Sequence, residues 1–264
     1  MISPVRRKYY LVANYIQVFG LSFFTWLFLP GEKRYAFFQK KMYENMASKS
    51  DYTPGKVKEY VVGAGYDDHN TWKDYDEYLM KYAGDYKDKL ALDFATGPGR
   101  NIIKYHNRFK RVDGVDISET NIKNARANLD SRDIKTELYT NNGMDLSAIP
   151  SGMYHFVFST IALQHICSYN IRRRLLTEFY RVLASGGRLS IQMGYGPGKK
   201  GSVGYHENAY WALLTNGGRD TRVESPDEVQ KDLESIGFKN FEYWIRPPGP
   251  GETHPNWIFF TAVK

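Results

Sequence analysis

Short apolar runs and amphipathic stretches alternate along most of the chain, and this alternation predicts strands and helices in turn. Residues 90–92 form an apolar run typical of a parallel strand that is covered on both faces. Further strands are predicted at 111–116, 134–139, 154–160, 188–193, 238–245 and 257–263. Helices are predicted at 34–46, 71–82, 101–109, 119–129, 170–183 and 226–236. The pattern predicts an α/β fold, a three-layer sandwich around a seven-stranded, mostly parallel sheet with an antiparallel last strand, plus a helical N-terminal extension.

Residues with capping chemistry mark several of these helix ends. Ser118 is a predicted N-cap, because its side-chain oxygen can accept from a free N–H of the first turn. Ser225 followed by Pro226 and two acids predicts another helix start. The run 185–187, Ser-Gly-Gly, and Gly237 predict helix stops. The last two strands are predicted to pair as an antiparallel hairpin.

The N-terminal region has a pattern of its own. Residues 9–30 carry no charge, are rich in aromatic side chains, and are flanked by basic residues. Their length suits a membrane span, for which about 20 apolar residues are needed, but interspersed polar residues weaken that interpretation. Residues 34–46 predict a second helix with an apolar face. Three hypotheses stay open for residues 1–48: a spanning anchor, helices lying in the membrane interface, or a soluble arm that covers the site or a second subunit.

The composition and charge of the chain argue against some classes of function. The chain has 264 residues, 42% hydrophobic and 16% aromatic, with a net charge of +7. Residues 1–50 hold eight Lys/Arg against two acids, so the rest of the chain is nearly neutral and is not a nucleic-acid surface by charge. The single cysteine, Cys167, excludes an internal disulfide and fits a reducing compartment. No spaced Cys/His set is present, so no metal is predicted.

A glycine turn follows the first predicted strand, and an acid ends each of the first two strands. Gly97 and Gly99 allow a sharp turn and a close approach of the backbone to a ligand. Asp116, at the tip of the second strand, can accept hydrogen bonds from a ribose diol. Ile102 stands where a dinucleotide fingerprint has its third glycine, so that fingerprint is broken. Asp93 would repel a pyrophosphate but suits a cationic, amine-bearing ligand.

The pattern Asp-x-x-x-Gly-x-Gly with an acid at the end of the second strand resembles class I S-adenosylmethionine (SAM)-dependent methyltransferases. The run at 181–189, Arg-Val-Leu-x-x-Gly-Gly-Arg-Leu, resembles the same family, and the resemblance covers about 88–193 well. It implies SAM as the cofactor, with the methionine part near Gly97, Gly99 and Asp93 and the ribose at Asp116. It also implies that Asn142 meets the adenine amine, where the family usually carries an acid. The full predicted cofactor set is Asp93, Ala95, Gly97, Gly99, Asp116, Ile117, Asn142, Gly143, Met144 and Ser159.

The chain is predicted to have two parts. Residues 1–50 are predicted to form an aromatic, basic helical extension that is a membrane anchor or a lid, and residues 51–264 the methyltransferase domain.

His165 follows the fourth strand, beside the expected methyl group, and is the candidate general base. The alternative is a histidine packed at a helix start and bonded to backbone. The long polar segment 194–224 follows the fifth strand at the ligand edge of the sheet. Its predicted substrate residues are Tyr195, His206, Tyr210 and Trp211.

The acceptor is predicted to be a small molecule or a lipid-linked group. A Pro-Pro-Tyr-type motif for amino bases is missing after the fourth strand, and Cys167 does not follow a proline, so nucleic acid is disfavoured. Two other functions remain open: a SAM-binding regulatory or scaffold protein without turnover, and a nicotinamide oxidoreductase, which Ile102 and Asp93 disfavour. The predicted location is cytoplasmic, with the N-terminus on a membrane surface as one hypothesis, and oligomerisation is left open.

Overall fold

The computed structural model describes residues 28–50, 75–84, 86–196, 202–210, 220–248 and 256–264. Within them lie five α-helices and seven strands. Helices α1 to α5 are Gly31–Ala47, Arg100–Tyr105, Glu119–Asp130, Tyr169–Val182 and Pro226–Ile236. Strands β1 to β7 are Tyr86–Phe94, Phe109–Asp116, Leu138–Thr140, Tyr154–Thr160, Leu183–Tyr195, Lys239–Arg246 and Asn256–Val263. Short 3₁₀ turns are His106–Arg108 and Leu163–His165, and one π-helical turn is Tyr75–Leu79.

The seven strands form one sheet in the order β3-β2-β1-β4-β5-β7-β6. All pairs from β3 to β5 are parallel, and β7 is antiparallel to both β5 and β6. The predicted fold is therefore confirmed, including the antiparallel pairing of the last two strands. Because β1 is central and the chain crosses to the other side of it at β4, the carboxyl ends of β1, β2 and β4 meet at one edge of the sheet.

Apolar side chains cover both faces of this sheet. One cluster joins it to α1, α4 and α5, with Phe38, Phe179 and Leu233 fully buried. The other joins it to the π-helical turn, α2 and α3, with Tyr75, Ile102 and others buried. Helices on both faces of a mostly parallel sheet explain why the buried stretches 91–92 of β1 and 156–158 of β4 are apolar. The three predicted layers are these two helical layers and the sheet.

Capping chemistry places the helix ends largely as predicted. Ser118 accepts from the backbone N–H of Asn121 at the start of α3. Ser225 and Glu228 form a capping box at the start of α5, and Gly237 ends that helix with φ at 116°. The stop predicted at 185–187 is wrong, because α4 already ends at Val182. Residues 183–187 belong to β5, where they bulge between its pairings with Tyr154 and Phe156 of β4.

Two other predicted boundaries are also wrong. The helix at 101–109 is too long: α2 ends at Tyr105, and Phe109 is buried in β2. The strand at 134–139 is too early: β3 begins at Leu138. The buried carboxylate of Asp113 accepts the backbone N–H of Glu137 at 2.9 Å, a donor that a longer ladder would have used. The helix predicted at 71–82 is described only from residue 75, as the π-helical turn.

The N-terminal helix predicted at 34–46 is present as α1 and starts slightly earlier, at Gly31. Among the residues that the structure describes, no helix is both long enough and apolar enough to cross a bilayer. Most of the charge-free stretch 9–30 lies outside those residues.

Candidate functional site

A cleft lies at the carboxyl ends of β1, β2 and β4. Phe94, Asp116 and Thr160, the last residues of the three strands, all line it. The glycine turn after β1 and the segment after β4 form two of its walls. This is the edge at which open α/β sheets bind their ligands.

The turn after β1 has an unusual backbone. Ala95, Gly97 and Gly99 all have positive φ, at 59°, 55° and 91°. A side chain at Gly97 would meet no atom within 4 Å, so the glycine is needed for its backbone conformation, and it leaves the cleft open at this point. Gly99 is the N-cap of α2, and its N–H donates to the carbonyl of Thr96 at 3.1 Å. The turn therefore brings backbone close to any ligand in the cleft.

Asp116 is held rigidly at the tip of β2. Its Oδ2 accepts the N–H of Gly97 at 2.9 Å, and its Oδ1 accepts the N–H of Ser118 at 2.8 Å. Burial raises the pKa of Asp116, although these two hydrogen bonds act to lower it. A carboxylate has about four acceptor positions, so two donors fix its orientation and leave capacity for the hydroxyls of a ribose.

Asp93 lies beneath the cleft and does not line it. Its Oδ1 accepts from Asn101 Nδ2 at 3.3 Å, and the same amide donates to Thr160 Oγ1 at 3.2 Å. No described residue donates to the buried Oδ2 of Asp93. Burial raises the pKa of this carboxyl to about 7. An unsatisfied buried carboxylate oxygen under Asn101 and Thr160 fits a cation in the cleft above, such as the ammonium of SAM.

His165 forms an ion pair or hydrogen bond with a residue distant in sequence. Its Nδ1 lies 2.7 Å from Asp220 Oδ1, and both side chains are partly exposed, by 34% and 25%. Its backbone carbonyl accepts from Tyr35 and Gln39 of α1. The ring is therefore oriented by a carboxylate while its backbone is fixed by α1. His165 lines the same cleft as Asp116.

Helix α1 forms part of the cleft wall. Gln39 and Tyr43 line the cleft, and burial together with the nearby Asp116 and Asp220 raises the pKa of Tyr43. Glu44 accepts the backbone N–H and the hydroxyl of Thr120, at the first turn of α3. An anion at a helix N-terminus is favourable, so this contact fixes α1 on the domain.

The predicted cofactor residues divide into two groups. Those that line the cleft are Ala95, Gly97, Asp116, Ile117 and Gly143. Those that do not line it are Asp93, Gly99, Asn142, Met144 and Ser159. Asn142 uses its side chain locally, since its Oδ1 accepts from the N–H groups of Met144 and Asp145. Ser159 donates to the carbonyl of Phe94. Their predicted contacts with SAM stay predictions.

The described substrate candidates lie away from the cleft lining. Tyr195 pairs with Val223 by an isolated parallel bridge. His206 packs against the rings of Tyr169 and Tyr205. The ring of Tyr210 packs on Gly31, the first residue of α1, so it supports the helix that covers the cleft. Trp211 lies outside the described residues.

Sequence reasoning missed several residues of the site. Asn101 and Thr160 form the floor above Asp93, and Gln39 and Tyr43 come from α1. Gln39 is a polar residue that is 4% exposed, on the same face of α1 as Tyr35 four residues earlier, and a buried glutamine in an apolar stripe was the available signal. Nothing in the sequence around Asp220 indicates that this residue belongs to the site.

The fold and the site together resemble one class of protein: an open sheet with a glycine turn and an acid after β2, facing a cleft, is similar to the arrangement in SAM-dependent methyltransferases. Residues 91–187 match the family model described as a methyltransferase domain. This stretch of the chain is therefore similar to methyltransferase domains. A comparison with curated proteins finds no match.

Solved structures share the fold at low sequence identity. Phosphoethanolamine N-methyltransferase 2 of Haemonchus contortus, solved with SAM, is 18% identical with a TM-score of 0.56; the match covers 73% of this chain and 52% of that one. The chain thus spans about half the length of that relative. Geranyl diphosphate C-methyltransferase of Streptomyces coelicolor is 16% identical with a TM-score of 0.54, covering 71% and 74%. A SAM-dependent methyltransferase of Methanosarcina mazei is 17% identical with a TM-score of 0.56, covering 71% and 97%.

Proposed function

We propose that the protein transfers the methyl group of SAM to a small-molecule acceptor bound beside His165. The observation that carries this proposal is that His165, oriented by Asp220, lines the same cleft as Asp116, the predicted ribose-binding acid. Two proteins of the same fold support a small acceptor. One was solved with phosphomonomethylethanolamine and the other with geranyl diphosphate.

Different residues of the cleft would bind different parts of SAM. When bound, SAM supplies a methyl group on a sulfonium, which is already a good electrophile. Asp116 would accept the ribose hydroxyls, and the glycine turn would lie against the methionine part. The buried Asp93 would stabilise the ammonium through the floor formed by Asn101 and Thr160. What remains for the chain is to align the acceptor and exclude water.

His165 would take the proton of the acceptor. Its Nδ1 is bonded to Asp220, and no described residue bonds Nε2, so Nε2 is the nitrogen available to an acceptor hydroxyl or ammonium. The carboxylate fixes the ring orientation and stabilises the imidazolium that forms. A base is needed only if the attacking group carries a proton that must leave. Asp220 is then a positioning residue for His165.

Helix α1 favours the lid hypothesis for the N-terminal extension. Its contacts with His165, Thr120 and the cleft wall are those of a cover over the site. The membrane hypothesis concerns residues 1–27 most of all. Flotation with anionic vesicles at low salt tests it: recovery of the full chain, but not of a chain starting at Met46, with the vesicles would support membrane binding.

Methyl transfer from labelled SAM to fractionated cell extract tests the proposal. Label is expected in the aqueous small-molecule fraction, and label in the lipid fraction would instead indicate a lipid-linked acceptor. Tight binding of SAM without transfer to either fraction would favour a regulatory SAM-binding protein. Absence of SAM binding would overturn the proposal.

A further inference from the structure

Arg222 is a buried arginine with two guanidinium nitrogens, Nε and Nη1, that have no partner among the described residues. Only 4% of the residue is exposed, and no described residue accepts a hydrogen bond from its buried Nε or Nη1. A buried charge without a partner is strongly unfavourable, so such groups are usually paired or bind a ligand. Arg222 is not used by the binding or proton-transfer steps described above.

A second buried arginine nearby shows what a structural role requires. The terminal nitrogens of Arg172, which is 1% exposed, donate to the carbonyls of Ile166 and Tyr205 and to the hydroxyl of Thr221. These bonds tie α4 to the segments on which His165 and Asp220 lie. Neither Nε nor Nη1 of Arg222 makes a bond of this kind to any residue that the structure describes.

The backbone around Arg222 shows which way its side chain lies. Thr221 and Val223 form isolated bridges with Val203 and Tyr195, so the segment is extended. The side chains of Thr221 and Val223 turn toward α4 and the core. Because successive side chains of an extended chain alternate, Asp220 and Arg222 share the opposite face. Asp220 reaches His165 on that face, and His165 lines the cleft.

Gln192 of β5 is a second unpartnered polar group on this side. It is fully buried, and no described residue bonds either atom of its side-chain amide. It pairs in register with Thr160, which lines the cleft. The parallel bridge between Tyr195 and Val223 sets Arg222 level with residue 194, on the same face as Gln192 and about 7 Å further along the strand.

We propose that Arg222, with Gln192 beside it, binds an oxyanion of the methyl acceptor, a phosphate or a carboxylate, while His165 faces the group that is methylated. This rests on the proposed function and specifies its substrate class. The planar guanidinium can donate two parallel hydrogen bonds to either anion, and the glutamine amide adds a neutral donor. Buried polar groups that the wrong acceptor leaves unpaired give strong discrimination against acceptors that lack the anion.

Inorganic phosphate and acetate are the probes for this site. The complex with S-adenosylhomocysteine (SAH) is titrated with each anion at constant ionic strength, and its melting temperature is followed. One anion is expected to raise the melting temperature saturably in the wild type; phosphate and acetate distinguish the two acceptor classes. Calorimetry of SAH binding separates the two proposals: no SAH binding overturns the proposed function, whereas SAH binding with no response to either anion overturns only the oxyanion site.

Variants assign the response to Arg222. Arg222→Met is expected to weaken the anion at least about tenfold, because charge-assisted hydrogen bonds are lost, and to keep SAH affinity. Arg222→Lys keeps the charge but not the paired donors, so an intermediate anion affinity is expected even if the Met variant folds poorly. Arg132→Met, which removes an exposed charge just beyond the C-terminal end of α3, is the matched control. An equal anion response in the Arg222→Met and Arg132→Met proteins would overturn the proposal.

Discussion

The Nδ1 atom of His165 lies 2.7 Å from Oδ1 of Asp220, although 55 residues separate them in the chain. The contact forms because the N–H of Thr221 donates to the carbonyl of Gln164, next to His165. Backbone pairing thus brings a carboxylate to the only histidine that lines the described cleft.

The first prediction concerns this pair. His165→Ala is expected to slow turnover by about 10²–10⁴-fold if the acceptor loses a proton, because a positioned base is removed. Asp220→Asn is expected to slow it less, since the amide can still hold the ring but no longer stabilises its positive charge. SAH affinity should be nearly unchanged in both. Turnover with the acceptor found by fractionation is the measurement.

His106→Ala is the control for this pair, because His106 lies at the far end of α2 and bonds the carbonyl of Ile103. The His106→Ala variant should turn over at the rate of the wild type. If His165→Ala also keeps the wild-type rate, His165 is structural and the acceptor is a nucleophile that needs no base.

The second prediction concerns Asp116. Asp116→Ala is expected to lower SAH affinity at least tenfold, because hydrogen bonds to a charged group contribute about 1.5–3 kcal/mol each. Calorimetry with SAH measures the change. Asp130→Ala removes an exposed acid at the end of α3 and should bind as the wild type does. Equal affinity of the two variants would contradict the assignment of the ribose to Asp116.

The third prediction follows from the raised pKa of Asp93, which is about 7 against an ordinary value of 3.8. Between these values the unfolded carboxyl is ionised and the folded one is protonated, so unfolding releases a proton. The free energy of unfolding therefore falls as the pH rises through this range, and the full penalty is reached above about pH 7. Asp93→Asn removes this loss of folding stability, which amounts to about 1.4 kcal/mol for each unit by which the pKa is raised.

Denaturant unfolding of the ligand-free protein at about pH 5 and about pH 8 measures this effect. Asp93→Asn should gain stability over the wild type at the higher pH relative to the lower one. Asp88→Asn, an exposed position on the same strand, should show the pH dependence of the wild type. An identical pH dependence in the Asp93 variant would show that Asp93 is ionised in the folded protein at both values.

The fourth prediction concerns the docking of α1. Glu44→Ala removes the anion at the N-terminus of α3, and the loss of its hydrogen bonds to Thr120 is expected to loosen α1. SAH should then dissociate faster, because Gln39 and Tyr43 no longer close the cleft. Stopped-flow dissociation measures this, with Lys41→Ala, an exposed position on α1, as control. Equal dissociation rates in both variants would mean that α1 does not cover the cofactor.

The sequence predicts well those features that depend on residues close together in the chain. Asp93, Gly97, Gly99 and Asp116 lie within one strand-turn-helix-strand unit, so their spacing alone sets their relation to the sheet edge. The same holds for the caps at Ser118 and Ser225, where a side chain bonds a neighbouring N–H.

What the sequence misses depends on contacts between distant residues. Asp220 meets His165 through the pairing of separate segments, and Gln39 enters the site only because α1 packs across the carboxyl ends of the strands. The early start predicted for β3 has the same origin, because the carboxylate of Asp113 takes the N–H of Glu137 from another strand. The contacts of Asp220 and Asp113 leave no period or motif in the chain, and Gln39 leaves only a glutamine within the apolar stripe of α1.

The hydroxyl of Tyr35 accepts the N–H of Cys167 and donates to the carbonyl of His165, on either side of Ile166. The same helix caps α3 through Glu44 and closes the cleft through Tyr43. If α1 moves away to exchange cofactor, it also releases the backbone that holds the base. Cofactor exchange and methyl transfer could then not take place at the same time. The enzyme would be inactive whenever α1 is open.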